Sequence, residues 1–219
     1  MTYYNDVIDF YSNFKIPVSL PDGILLHNPF EDAERKAAIE QFYTKFFSDD
    51  NARIHILGIN PSKLNHTSTG INYTDGLALK EFCGLDNGFS KGRELTSDFF
   101  YRVVLAMGGA EEFYKRVFAW AIMPISVTSK GGYVNYYDQA VEGALNEVIT
   151  ENVRWTSRRP STGRALIIGT GENKKGFQNL EGSPFGYNDV KYLPHPRWIM
   201  QYNRDRIDKY IEQYVDALS

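Results

Sequence analysis

Residues 58–73, GINPSKLNHTSTGINY, form a polar segment that directly follows the apolar run RIHILGI. The Asn, Ser, Thr and His side chains of this segment form hydrogen bonds, but they add almost nothing to a hydrophobic core. Loops of this length at the end of a strand are either disordered or hold a ligand. A second polar segment, LPHPRW, carries His195 and Arg197 far along the chain. Amide and imidazole groups orient water and donate hydrogen bonds but are poor covalent nucleophiles, so they suit a reaction with a nearly dissociated transition state.

The other motifs disfavour several alternative chemistries. GTGENKKG resembles a phosphate loop, but Lys174 stands where a dinucleotide fingerprint needs glycine, and Phe177 stands where a P-loop needs lysine. We therefore expect a tight strand-to-helix turn there. No G-x-S-x-G nucleophile elbow is present, which disfavours a serine hydrolase. The 4 histidines are scattered and Cys83 is the only cysteine, so we expect no metal site, no intrachain disulfide and no four-cysteine cluster.

Composition limits the class of protein. A chain of 219 residues with 42% hydrophobic content can bury the core of one domain, which we expect to span residues 1–219. The formal net charge of −3 gives no overall basic field for gripping DNA, although it leaves room for an enzyme with a local basic patch. Neither a signal peptide nor an apolar run of membrane-spanning length is visible, so we expect a cytoplasmic protein without a membrane partner.

The polar segments are expected to meet at one edge of a sheet. Four apolar runs predict strands, namely RIHILGI, VFAWAIMPI, RALIIGT and VKYLPH, and helical periodicities lie before, between and after them. Alternating strands and helices predict a three-layer α/β sandwich, with helices from residues 1–50 packed on it. Ligands of such folds bind outside the carboxyl ends of the strands. The segments expected at that edge are residues 58–73, PISVTSKGGYVNYYD, GTGEN and PHPRW.

The chain resembles the SMUG-type uracil-DNA glycosylases, which are single-strand-selective monofunctional members of their superfamily. The first motif of that family aligns without a gap on Gly58, Asn60, Pro61, Thr69, Gly70 and Tyr73. FFYRVVLAMGGAEEFYKRVFAWAIMPIS is similar to the segment leading into the family's second strand, ALIIGTGEN to its third strand, and LPHPRW to its second motif. The resemblance covers roughly residues 50–215.

This resemblance implies a four-stranded parallel sheet between helices and hydrolysis of the bond that joins a damaged base to deoxyribose. It implies no metal and no cofactor. The expected partner is DNA, either single-stranded or with the damaged base flipped out, and the enzyme is expected to act as a monomer.

The resemblance also implies roles for individual residues. The position of Asn60 corresponds to the amide that positions the attacking water, and that of His195 to the donor that stabilises the departing base. Tyr73 corresponds to the aromatic residue on which the base stacks. The further residues expected to bind the substrate are Gly58, Ser62, Thr69, Gly70 and Asn135. Those expected to contact DNA are Arg197 as a phosphate ligand and Trp198, Ile199 or Met200 as a wedge in the base stack.

Two departures from the family pattern affect the expected substrate. The family reads uracil with an Asn three residues before the second-strand proline, and this chain has Ala121 there. Either Asn135 reads the base or selectivity is relaxed, so we expect uracil or another deaminated base such as hypoxanthine or xanthine. The segment around His195 also differs from the second motif of the family, either because two residues are deleted or because the histidine has moved to another position of the motif. A non-catalytic nucleobase or nucleotide binder and a hydrolase of free nucleosides remain as alternatives.

Overall fold

The computed structural model describes residues 2–15, 20–61, 64–89, 91–130, 132–141, 143–180, 182–183 and 185–219. The helices of this part of the chain are α1 (Tyr3–Asn13), α2 (Ala33–Phe46), α3 (Gly76–Glu81), α4 (Leu95–Ala106), α5 (Ala110–Arg116), α6 (Asn146–Ser157), α7 (Glu172–Gln178), α8 (Pro196–Tyr202) and α9 (Ile207–Leu218). The strands are β1 (Ile24–His27), β2 (Arg53–Gly58), β3 (Val117–Ala121), β4 (Ser126–Ser129), β5 (Gly132–Tyr133), β6 (Ser161–Ile168) and β7 (Asp189–Leu193).

The main sheet has four parallel strands in the order β3-β2-β6-β7. Every residue of β2 and β3 is buried, which explains why these strands read as continuous apolar runs rather than alternating patterns. Gly58 and Ala121 lie side by side at the carboxyl ends of β2 and β3. The four-stranded parallel sheet and the α/β fold predicted from the sequence are confirmed.

A second, antiparallel sheet of three strands, in the order β1-β4-β5, was not predicted. The sequence run 117–125 had been interpreted as one strand, but the main-sheet strand ends at Ala121 and the chain enters the second sheet at Ser126. Pro124 lies between the two, and a proline lacks the N–H that a central strand needs. After Pro124 the chain enters the second sheet, which leads it back towards the carboxyl end of β2.

Several helix boundaries also differ from the prediction. The segment YDQAVEGALNEVITENV, residues 137–153, has a pattern that predicts one helix, but helix α6 begins only at Asn146. Gly143 has φ 77°, a left-handed conformation that interrupts a helix. Helix α8 was not predicted; Pro196 occupies its first turn, where a missing N–H costs nothing, and His195 caps it.

The core is one continuous apolar cluster in which α1 and α2 pack on the sheet through aromatic side chains. Tyr11 and Phe10, for example, contact the Trp120 ring with centroids 5.5 and 5.6 Å away. Within the core, His55 of β2 has both ring nitrogens hydrogen-bonded, to Tyr3 and to Tyr187. Burial lowers the pKa of His55 to about 4. Among the described residues, no helix has both the length and the apolarity required to cross a bilayer.

Candidate active site

Asn60 lies just beyond the carboxyl end of β2 and is held by the chain that follows β5. Its Nδ2 donates to the carbonyl oxygen of Val134 (3.0 Å), and its Oδ1 accepts from the backbone N–H of Tyr136 (3.3 Å). The Tyr133 hydroxyl donates to the Asn60 carbonyl oxygen (3.0 Å). These contacts define which way the amide faces. A carbonyl oxygen has two acceptor sites, so Oδ1 can also accept a hydrogen bond from a water molecule.

The loop after Asn60 is shaped by its own side chains and by α2. The Oδ1 of Asn65 accepts the backbone N–H groups of Thr67 and Ser68, at 2.8 and 3.2 Å. Arg35 of α2 donates to the carbonyl oxygens of Asn65 and Ser68, at 2.6 and 3.0 Å. Gly70 has φ 82°, and a Cβ there would lie 2.7 Å from the Pro29 side chain, so only glycine fits. Asn65 and Arg35 therefore serve to fold the loop.

Tyr73 stands at the end of this loop in a left-handed conformation, with φ 60°. This conformation is uncommon outside glycine and tends to persist at functional sites. One face of its ring stacks on Phe100, with centroids 4.6 Å apart and planes 12° apart. A Cβ at Gly58 would clash with the Tyr73 hydroxyl, so the glycine permits this position. The hydroxyl is buried without a partner, and burial raises its pKa above the ordinary value.

His195 is the N-cap of α8, and its local contacts define its protonation. Its Nδ1 accepts the backbone N–H of Arg197 at 3.1 Å. Burial, together with the positive charge of Arg197, lowers the pKa of His195 to about 4, so the ring is neutral at pH 7. A neutral imidazole that accepts at Nδ1 carries its proton on Nε2. The Nε2–H group has no hydrogen-bond partner among the described residues, and it is therefore a free donor.

These elements surround a cavity of about 680 Å³ at the carboxyl edge of the main sheet, which we call the Asn60 cavity. Of the residues predicted from the sequence, it is lined by Gly58, Asn60, Gly70, Tyr73, Asn135, His195, Arg197 and Trp198. Asn60 and His195 thus line one cavity although they lie on different elements. No GTGEN residue lines it, so that predicted part of the edge does not reach the site.

Three predicted site residues need correction. Ile199 and Met200 are 0% and 4% exposed and face the interior, so neither can be a wedge in the DNA stack. On a helix that begins at Pro196, these positions share the buried face with the proline, while the intervening side chains point outwards. Thr69 is fully buried and does not line the cavity. Its hydroxyl donates to Thr74 O (2.6 Å) and accepts from Ile71 N (3.1 Å), which positions the loop. Ser62 lies outside the described residues.

The cavity also contains residues that sequence reasoning missed, among them Asn72, Tyr133, Gln201 and Tyr202. Trp198 and Tyr202 are 45% and 72% exposed and lie one helical turn apart on α8. A correct prediction of α8 would have revealed this pair, because positions four apart share a helix face. Within the described ranges, no group of three or more His, Cys, Asp or Glu side chains is arranged to hold a metal ion.

A second cavity of about 680 Å³ lies between α6 and α7, and we call it the α6–α7 groove. Four of its charged side chains form ion pairs within their own helices. Arg154 contacts Glu151 at 2.5 Å, and Lys175 contacts Glu172 at 2.7 Å. The cavity shares Tyr137 with the Asn60 cavity, but neither Asn60 nor His195 lines it.

Comparisons with known proteins agree with this geometry. The family model described as the uracil DNA glycosylase superfamily matches residues 44–219. Among solved structures, the chain is similar to the crystal structure of wild-type SMUG2 from Pedobacter heparinus, with 34% sequence identity and a TM-score of 0.92. That match covers 99% of this chain and 97% of the SMUG2 chain. A search of curated proteins gives no significant match.

Proposed function

Because this chain belongs to the uracil-DNA glycosylase superfamily and is a DNA glycosylase, we propose that it removes uracil or another deaminated base from DNA by means of Asn60 and His195. The observation that carries the proposal is the Asn60 cavity, where a fixed amide and a free imidazole N–H donor line the same space. The volume of about 680 Å³ accommodates a nucleobase together with its sugar.

The chemistry follows from the charges that develop when the glycosidic bond breaks. Positive charge builds on the sugar and negative charge on the departing base. Asn60 acts by holding a water below the sugar carbon, since its Oδ1 can accept from water while Tyr136 and Val134 fix the amide. An amide is a weak base, but a carbon that already resembles an oxocarbenium ion needs little assistance from a base.

His195 acts on the other product of the same bond cleavage. Its neutral ring donates the Nε2–H hydrogen bond to a carbonyl oxygen of the base, where negative charge accumulates. Because the Arg197 backbone N–H occupies Nδ1, the donor is already oriented before the substrate arrives. A donor that needs no reorganisation stabilises the transition state more than the ground state.

Tyr73 supplies the surface on which the flipped base lies. Phe100 covers one face of the ring, so the opposite face is the one on which a base can stack. Base–aromatic stacking contributes roughly 1–3 kcal/mol per base. Gly58 and Gly70 act indirectly, since each allows close packing around the ring or its loop.

DNA is proposed to lie across the exposed side of α8. Arg197 contacts a phosphate, while Trp198 and the newly identified Tyr202 contact the neighbouring bases. We expect single-stranded DNA to be preferred, because unstacking and unpairing a base is least costly there. The enzyme is proposed to act as a monomer, without metal or cofactor.

The test uses labelled single-stranded oligonucleotides that contain uracil, hypoxanthine or xanthine, followed by alkali, which breaks the strand at abasic sites. Strand breaks with the wild type that disappear in Asn60→Ala support the proposal. Asn179→Ala, which removes an amide from the α6–α7 groove, is the matched control and retains cleavage. Binding without cleavage indicates a nucleobase binder, and base release from free nucleosides alone indicates a nucleoside hydrolase; either result contradicts the proposal.

A further inference from the structure

The position expected to read the base holds a side chain that cannot do so. Ala121 lies at the end of β3 beside Gly58 and lines the Asn60 cavity. Its methyl group neither donates nor accepts a hydrogen bond. Any polar recognition of the base edge must therefore come from another residue of the cavity.

Four asparagines line the cavity, and three of them have their side-chain amides engaged. Asn60 bonds to Val134 and Tyr136, and the Oδ1 of Asn65 accepts from the Thr67 and Ser68 backbone. The Asn135 amide, the base reader expected from the sequence, donates to the Asp138 carboxylate at 3.3 and 3.5 Å.

Asn72 is the fourth, and its side chain makes no hydrogen bond to any described residue. Its Nδ2 is buried and has no partner, which is rare for a polar atom in a folded protein. Such a donor carries a desolvation cost that remains until a ligand or a water molecule supplies an acceptor. Asn72 directly precedes Tyr73 in the chain, and both residues line the Asn60 cavity.

Resting on the proposed function, we propose that Asn72 is the specificity-determining residue that reads the base edge. Deaminated bases share a lactam unit, in which a ring N–H lies beside a C=O. The Asn72 amide offers the complementary pair, with Oδ1 accepting from the N–H and Nδ2 donating to the C=O. Cytosine and adenine present the reverse order of donor and acceptor, so an amide held in one orientation mismatches them. This assignment accounts for the discrimination of uracil from cytosine and of hypoxanthine from adenine by one residue, whereas guanine and thymine carry the same lactam unit.

The test separates base recognition from catalysis. Single-stranded oligonucleotides carry one 2′-fluoro-2′-deoxyuridine or one 2′-fluoro-2′-deoxycytidine, because the fluorine suppresses cleavage by destabilising positive charge on the sugar. Fluorescence anisotropy gives Kd for each. The wild type is expected to bind the uracil strand about tenfold more tightly than the cytosine strand, the effect of a satisfied hydrogen-bonding pair. Asn72→Ala is expected to bring this ratio close to one.

Control variants separate loss of base recognition from effects on folding or on an unrelated site. Asn179→Ala, in the α6–α7 groove, is expected to keep the wild-type ratio. Asn72→Asp keeps the side-chain size but loses the donor. If Asn72→Ala fails to fold, Asn72→Asp tests whether the binding ratio depends on that donor. An Asn72 variant that folds, binds undamaged DNA normally and retains the ratio overturns the inference. Loss of the ratio in Asn135→Ala but not in Asn72→Ala also overturns it. Cleavage of ordinary deoxyuridine strands by the wild type, lost in Asn60→Ala, tests the proposed function separately.

Discussion

The Asn60 cavity and the α6–α7 groove have the same volume, about 680 Å³ each, but among the described residues only the Asn60 cavity is lined by residues with buried polar side-chain atoms that lack a partner. In the α6–α7 groove, Glu151 pairs with Arg154 and Glu172 with Lys175, each pair one turn apart on its own helix. In the Asn60 cavity, the His195 Nε2–H, the Asn72 amide and the Tyr73 hydroxyl have no partners among the described residues. A buried polar group without a partner is costly, so such groups at the lining of a cavity point to a ligand or water that completes them.

The buried His55 and the half-buried His195 show the same difference. Burial lowers the pKa of both His55 and His195 to about 4. His55, however, has both nitrogens bonded within the core, whereas His195 has one nitrogen bonded and the other free in a cavity. Cavity size and pKa shift therefore do not identify the site by themselves. The Asn60 cavity is distinguished by its buried hydrogen-bonding atoms, on Asn72 and Tyr73, that have no partner among the described residues.

Removing one amide from each cavity tests directly whether the two cavities differ in function. Asn60→Ala is expected to lower the single-turnover rate of base excision by at least about 100-fold, since a misplaced nucleophile loses its alignment with the sugar carbon. Asn179→Ala in the α6–α7 groove is expected to leave the rate unchanged. Gel quantification of strand breaks measures both. Equal losses in the two variants would show that the cavities do not differ in function.

His195→Ala is expected to lower the rate by about 100-fold, the typical loss of one preorganised donor to a developing oxyanion. His195→Gln, which keeps an N–H donor, is expected to recover part of that rate. His55→Gln tests the other histidine and is expected to lower stability rather than the rate, because it disturbs a core network. Thermal unfolding alongside the cleavage assay distinguishes the two effects.

The pH dependence follows from the direction of the His195 pKa shift. With a pKa of about 4, the ring remains neutral as pH falls from 8 to 5, and protonation at Nδ1 displaces the Arg197 N–H only below that range. The single-turnover rate is therefore expected to show no inflection near pH 6.5, the ordinary histidine value, and to fall as pH approaches 4. A rate that rises as pH drops through 6.5 would indicate that the imidazolium is the active form.

Smaller effects are expected on α8, where Trp198 and Tyr202 are exposed beside the cavity. Trp198→Ala and Tyr202→Ala are each expected to weaken single-stranded DNA binding by about tenfold, since each removes one stacking surface. The maximal cleavage rate is expected to change less than Kd, because neither residue contacts the reacting atoms. A titration by anisotropy, paired with saturating single-turnover rates, separates the two quantities. An unchanged Kd would show that these side chains of α8 do not contact the DNA.

The smallest effect is expected in the α6–α7 groove. Lys175→Ala breaks the exposed pair with Glu172 and is expected to change the free energy of unfolding by about 0.5 kcal/mol or less. Base excision is expected to remain at the wild-type rate. A marked loss of excision would assign a function to this groove and weaken the distinction between the cavities.

The sequence predicted the residues whose placement depends on local spacing. Asn60 and Tyr73 lie in one ungapped segment behind a buried strand, and parallel strands bring their carboxyl ends to one edge. The errors arose from one helix that was not predicted and from side-chain pairing that a sequence pattern does not show. Ile199 and Met200 were misassigned because α8 was not predicted, and a helix period would have placed them inwards. The engagement of Asn135 with Asp138 and the unpaired state of Asn72 became visible only in three dimensions.

The way in which Asn60 is held has a consequence for how this enzyme family can diversify. Its amide is held by main-chain atoms, namely the carbonyl oxygen of Val134 and the N–H of Tyr136. Every amino acid other than proline offers the same two groups, so substitutions at these positions leave the orientation of the amide intact. Insertions or deletions in this stretch shift the main chain and release the Asn60 amide. Changes in the length of this segment are therefore expected to disturb the Asn60 amide more than substitutions within it, while the buried side chains of Val134 and Tyr136 constrain those positions for packing.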